Sequence, residues 1–118
     1  MNNIENLKSK IDFNIKFWLE FEGKSILGAG WANLLKTINK KEVTSLTQAA
    51  KECGYSYKYA WNILKRIEER TTESPVLTSK GGPGGGGSVE LNEWGHHILQ
   101  VFEKLEKEVE NIKENLKI

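Results

Sequence analysis

The chain has little of what would announce a chemistry. Cys53 is its one cysteine, so no internal disulfide framework is possible. His96 and His97 are its only histidines. Adjacent residues on a helix diverge by about 100°, so these two do not reach one metal ion together. No Ser/His/Asp arrangement and no paired carboxylates stand out. An enzyme therefore has little support, and neither a cofactor nor a metal is expected. No apolar run approaches the roughly 18 residues that span a bilayer. The N-terminus is polar and has no signal-peptide core. These absences point to a cytoplasmic protein that keeps away from membranes. Net charge is scarce too, at +1, so the total gives no sign of a nucleic-acid partner.

Charge counted by segment is more informative. Residues 1–54 carry eight basic and six acidic side chains, residues 55–88 five and three, and residues 89–118 four and seven. An acidic tail masks a mildly basic body, and local charge decides what a surface attracts. A chain of 118 residues with 38% hydrophobic and 28% charged residues suits one soluble domain with an appended arm. We divide it into a polar lead (1–12), a domain body (13–91) and a C-terminal helix (92–118).

In the lead, Ile4, Leu7 and Ile11 have helical spacing, consistent with a short helix or a disordered arm. From Phe13 to Glu22 apolar and polar residues alternate, which predicts one half-buried strand ended by Gly23 and Lys24. Ser25-Ile26-Leu27 is too short to assign. From Gly28 to Asn39, Trp31, Leu34, Leu35 and Ile38 form one helical face. Ser45 and Gln48 predict a capping box for a helix with Leu46, Ala49, Ala50 and Cys53 on its apolar face. Gly54 stops that helix in the left-handed conformation. A further helix starts near Ser56, with Ala60, Ile63, Leu64 and Ile67 inward and Trp61 at the margin. It fades by Thr71-Thr72, and Pro75 marks the break.

Helix, tight glycine turn, helix is a helix-turn-helix arrangement. The unit needs a small residue at the crossing (Ala50), a glycine four residues on (Gly54) and a small apolar residue six beyond that (Ala60). All three are present. The bland alternative is an ordinary αα-hairpin. The outward set of the second helix is Ser56, Tyr57, Lys58, Tyr59, Asn62, Lys65 and Arg66, with no acid before Glu68. Such groups reach base edges and phosphates. For Tyr57 and Tyr59, inward packing is the alternative.

The tract from Gly81 to Gly87 is glycine except for Pro83. It is not a phosphate loop, because Ser88 follows the last glycine with no lysine between them and no helix follows at once. Between two β-prone runs, "VLTS" and "SVEL", it predicts a hairpin rather than an interdomain linker. A hairpin after a helix-turn-helix is a wing. Lys80, Gly82, Gly84 and Ser88 are then candidate backbone-phosphate contacts.

Asn92 is placed to cap a long C-terminal helix. Ile98, Phe102, Leu105, Val109, Ile112 and Leu116 are spaced as a heptad seam. Leu99 and Val101 widen its first half, which suits packing on the domain body. Beyond Leu105 the stripe narrows and has more length than a small domain covers. A homodimer through these six residues is the expected solution. Cover by Ile4, Leu7 and Ile11 of the same chain is the alternative, and the orientation of the paired helices is open.

"GYSYKYAW" and "VLTSKGGPGGGGSVELNEWG" together resemble the N-terminal DNA-binding domain of the ModE family of molybdate-responsive regulators, a winged helix related to LysR-type regulators. "FWLEFEGKSILGAG" is similar to that domain as well, so the resemblance covers roughly residues 13–105. It implies a mainly α fold with a small β-sheet: a winged helix-turn-helix followed by a dimerisation helix. It further implies binding of double-stranded DNA as a homodimer. The recognition role falls on Ser56, Tyr57, Lys58 and Asn62, and the wing role on residues 80–88. The family's oxyanion-binding domain has no counterpart in these residues, so molybdate sensing is not carried over and no small-molecule effector is evident. The functional expectation is a sequence-specific transcription regulator. The alternatives are a protein-interaction module or a weakly specific architectural DNA-binding protein.

Overall fold

The computed structural model describes residues 3–79 and 87–118. Its elements are α1 (Asn3–Lys8), β1 (Leu19–Phe21), β2 (Lys24–Leu27), α2 (Ala29–Ile38), α3 (Leu46–Cys53), α4 (Tyr57–Thr71), β3 (Val76–Ser79), β4 (Ser88–Leu91) and α5 (Glu93–Asn115). The fold is a mainly α winged helix with a long C-terminal helix. The strands form two separate two-stranded antiparallel sheets rather than one. No helix among the described residues is long and apolar enough to cross a membrane.

One core serves every element except α1. It joins Leu34 and Leu35 of α2, Ala49 and Ala50 of α3, Ala60, Ile63 and Ile67 of α4, Val89 and Leu91 of β4, and Ile98, Leu99 and Phe102 of α5. The helix starts follow local chemistry. The side chains of Ser45, Ser56 and Asn92 accept the backbone N–H groups of Gln48, Tyr59 and Gly95. Each meets one of the donors that a helix start leaves unpaired. The capping box at Ser45 is displaced by one residue: Gln48 Oε1 accepts from the Thr44 N–H at 3.2 Å, and Gln48 Nε2 donates to the Glu42 carbonyl.

The strand expected over residues 13–22 is realised only in part. Burial alternates residue by residue from Phe13 to Phe21, but only Leu19–Phe21 pairs with another strand. The chain turns back at Glu22 and Gly23, with φ of 49° and 82°. β2, which includes the unassigned Ser25-Ile26-Leu27, is four residues long and reaches no further back than Leu19. The wing stem pairs Val76 with Leu91 through Ser79 with Ser88. A contact distant in sequence completes it, because the Val89 N–H donates to the Thr44 carbonyl at 2.9 Å.

α5 is fastened at its start. The backbone N–H of Asn92 donates to the Pro75 carbonyl and its side chain to the Ser74 carbonyl at 2.7 Å. Trp94 Nε1 donates to Thr71 Oγ1, and further along Lys36 pairs with Glu106 at 2.7 Å. The helix then leaves the body. The radius of gyration is 18.8 Å, against about 13.5 Å for a compact chain of this length. Ile98 and Phe102, two of the six seam residues, belong to the domain's own core. They are therefore held within the chain, and the open seam is Leu105, Ile112 and Leu116 with half-buried Val109. α1 buries none of its residues, and Leu7 and Ile11 are exposed.

Gly95 lies where α5 crosses the turn before β3, and a Cβ there would run into the Pro75 carbonyl. Alanine normally favours a helix over glycine by about 1 kcal/mol. Here backbone obstructs it, and overpacking of this kind costs about 1–3 kcal/mol. Gly95→Ala is expected to lower the stability measured by urea unfolding, the reverse of the usual helix effect.

Candidate nucleic-acid interface

The site is built on the α3–α4 turn. Gly54 adopts φ 75° and ψ 24°, its N–H bonds the Lys51 carbonyl, and the Tyr55 N–H bonds the Ala50 carbonyl at 2.9 Å. This closes the last turn of α3 with a left-handed residue, which glycine adopts without a Cβ clash. Ala49 and Ala60 are completely buried and Ala50 nearly so, so the two helices cross closely. Tyr55 Oη donates to the Gly30 carbonyl at 2.9 Å, tying the turn to α2. Burial, then the nearby Cys53, pushes the Tyr55 phenol above its ordinary value of 10.0, against a hydrogen bond with Asn33 that lowers it. Cys53 itself is half-buried and donates to Thr37 Oγ1.

α4 then presents one polar face. Ser56, Tyr57, Lys58, Tyr59, Asn62, Lys65 and Arg66 are all exposed. Residues on a helix advance by about 100° each. Lys58, Asn62 and Lys65 therefore stand opposite the core line of Ala60, Ile63 and Ile67. Tyr59 falls to one side, where its ring meets Tyr55 edge-on at 5.0 Å. Tyr57 and Trp61 fall to the other side, towards the wing. Lys65 is engaged: it pairs with Glu68 at 3.2 Å and its Nζ lies 5.4 Å from the Trp61 ring centroid. Lys58 and Arg66 have no ion-pair partner among the described residues.

Between α4 and the wing runs a groove of about 200 Å³, lined by Thr47, Tyr57, Trp61, Thr78, Ser79 and Ser88 among others. Ser88 is exposed and its hydroxyl shares a hydrogen bond with that of Ser79. Lys80, Gly82 and Gly84, the other wing candidates, lie outside the described residues. Thr47 is a residue that sequence reasoning did not place here, and Trp61, expected at the margin of the helix, lines the groove. Tyr57, Trp61 and Lys65 are four apart, and that spacing alone would have set Trp61 in an exposed row with them.

Part of the chain is similar to known regulators. The "DNA-binding transcriptional dual regulator ModE" of Escherichia coli K12 is 36% identical over 61 residues, covering 52% of this chain and 23% of that protein. The "transcriptional regulator ModE" of Yersinia pestis is 36% identical over 72 residues, covering 61% and 26%. That of Haemophilus influenzae is 33% identical over 78 residues, covering 66% and 29%. The chain carries a ModE-like domain. It spans about a quarter of the length of these ModE relatives. No family model matches it.

The raised Tyr55 phenol has a direct consequence for stability. A folded-state value above the unfolded one gives stability that is present below pH 10.0 and is lost as pH rises through the folded value. Phenolate absorbance should show a component titrating above pH 10.0 that Tyr55→Phe removes.

Proposed function

We propose that this protein is a transcription regulator that binds specific sequences of double-stranded DNA as a homodimer. The observation that carries the reading is the exposed row on α4, Lys58, Asn62 and Lys65, held out by a glycine-turned helix-turn-helix inside a ModE-like domain. In this reading α4 enters the major groove. Asn62 is suited to hydrogen-bond an adenine edge and Lys58 a guanine edge. Ser56, Tyr57, Tyr59 and Arg66 meet the sugar-phosphate backbone on either side. The wing, with Lys80, Gly82, Gly84 and Ser88, lies along the neighbouring backbone.

The open part of the seam supports the homodimer. Leu105, Ile112 and Leu116 are exposed apolar residues on the projecting half of α5. A second copy joined there would present two half-sites about 34 Å apart or a multiple of it.

Selection of bound sequences from a random duplex pool tests binding, specificity and half-site spacing together. An enriched motif with two-fold symmetry is expected, and recovery of no motif overturns the reading. In gel-shift titrations Asn62→Ala should weaken binding to the selected sequence about tenfold and relax the preference at one base position. Arg66→Ala should weaken binding to all sequences alike and reduce the salt slope by about one unit.

The seam makes a separate prediction. Ile112→Glu places a charge in the proposed interface without touching the core. Sedimentation should show a shift from dimer to monomer while the thermal unfolding of the domain body is retained.

A further inference from the structure

A strand pattern precedes β1 with no strand beside it among the described residues. From Phe13 to Phe21 every odd residue is half-buried and every even one exposed. Phe17 packs on Phe102, with ring centroids 4.7 Å apart, so the run lies against α5 just before the open seam. Only Leu19–Phe21 has a partner, and that partner, β2, occupies one edge. The other edge of β1 is unpaired, and residues 13–18 make no backbone–backbone hydrogen bond among the described residues. The N–H groups of Phe13 and Ile15 are met only by the adjacent side chains of Asp12 and Asn14, at 2.8 and 2.9 Å. Trp18 stands outward on the same run, 54% exposed. A lone two-stranded ribbon is marginal, and an open edge is a template for another strand.

We propose that residues 15–21 pair antiparallel with the same residues of a second copy, giving a continuous sheet ordered β2–β1–β1–β2 across the two-fold axis. This rests on the homodimer reading above and adds a second contact to it. Self-pairing restricts the register. Opposed residues in an antiparallel pair point to the same face. If both apolar faces stay against their own α5 helices, the numbers of opposed residues must sum to an even value. With Lys16 on the axis, Lys16 would oppose itself, a like-charge pair that destabilises a ladder. With Trp18 on the axis, Lys16 opposes Glu20 twice and Trp18 meets Trp18. On the inner face Phe17 then opposes Leu19, and Ile15 opposes Phe21. Opposite charges and apolar pairs of this kind stabilise a ladder. This register also gives the exposed Trp18 and the uncovered edge of β1 one shared partner. Trp18 Nε1 bonds one carboxylate oxygen of Glu20 at 2.9 Å, which leaves the other for Lys16 of the second copy.

Hydrogen exchange on the full chain, at concentrations on both sides of its dimerisation midpoint, tests this. Alternate amides of residues 15–21, those on the edge that faces the second copy, should slow about tenfold or more as the dimer fraction rises. Lys16→Glu should weaken dimerisation about fivefold, and Glu20→Lys added to it should restore the affinity. A dimer in which these amides exchange as fast as in the monomer overturns the strand pairing and leaves the α5 dimer standing. A chain that is monomeric throughout overturns both. Weakening by Lys16→Glu that Glu20→Lys does not reverse also overturns the proposed pairing.

Discussion

The left-handed turn at Gly54 governs the geometry of everything the molecule displays. One residue with φ 75° reverses the chain between α3 and α4. Its effect is passed on by contacts rather than by reach: a Cβ at Gly54 would touch nothing, so the constraint there is conformational and not steric crowding. Ala50 and Ala60 supply the complementary condition, because larger side chains at the crossing would push the helices apart. Tyr55 then fastens the turn to α2 through the Gly30 carbonyl. The direction in which Lys58 and Asn62 point follows from these few small residues, none of which belongs to the exposed face.

A second set of contacts directs α5. Its first turn is locked against the loop before β3 by Asn92 and by the absence of a side chain at Gly95. Lys36 and Glu106 hold it again near the edge of the body. That pair is partly exposed, so its worth lies at the low end for ion pairs, and most of the fastening comes from the buried Ile98, Leu99 and Phe102. Past Glu106 no residue of the helix is buried. The acidic charge of residues 89–118 lies mainly on this helix, while Lys58, Lys65 and Arg66 crowd α4. The near-zero total charge thus conceals two surfaces of opposite character.

Much of this was legible because it is local. A cap needs only a short polar side chain and the N–H three residues on, so Ser45, Ser56 and Asn92 marked their helices without reference to anything distant. The core face of α4 followed from period alone. Other features were not legible, and the reason is consistent. Alternation along residues 13–22 recorded burial correctly but did not say whether a neighbouring strand exists, because side-chain burial and backbone pairing are separate requirements. The stripe of α5, wider at Leu99 and Val101, pointed to packing of its first half on the body, but the heptad spacing did not say that Ile98 and Phe102 leave the seam for the core. The bond from Val89 to Thr44, and the meeting of Thr47 and Trp61 with the wing stem, join segments far apart in sequence.

The sequence by itself determined where the helices start and stop, which face of each is apolar, and that a glycine-turned helix pair carries a cationic outer face. These depend on interactions within one or two turns of chain, which period and residue type encode directly. Only the tertiary structure decided that Ile98 and Phe102 belong to the core, that Trp61 walls a groove against the wing, and that residues 13–18 run extended without a ladder. Each of these depends on which surfaces come to lie opposite one another once the whole chain has packed.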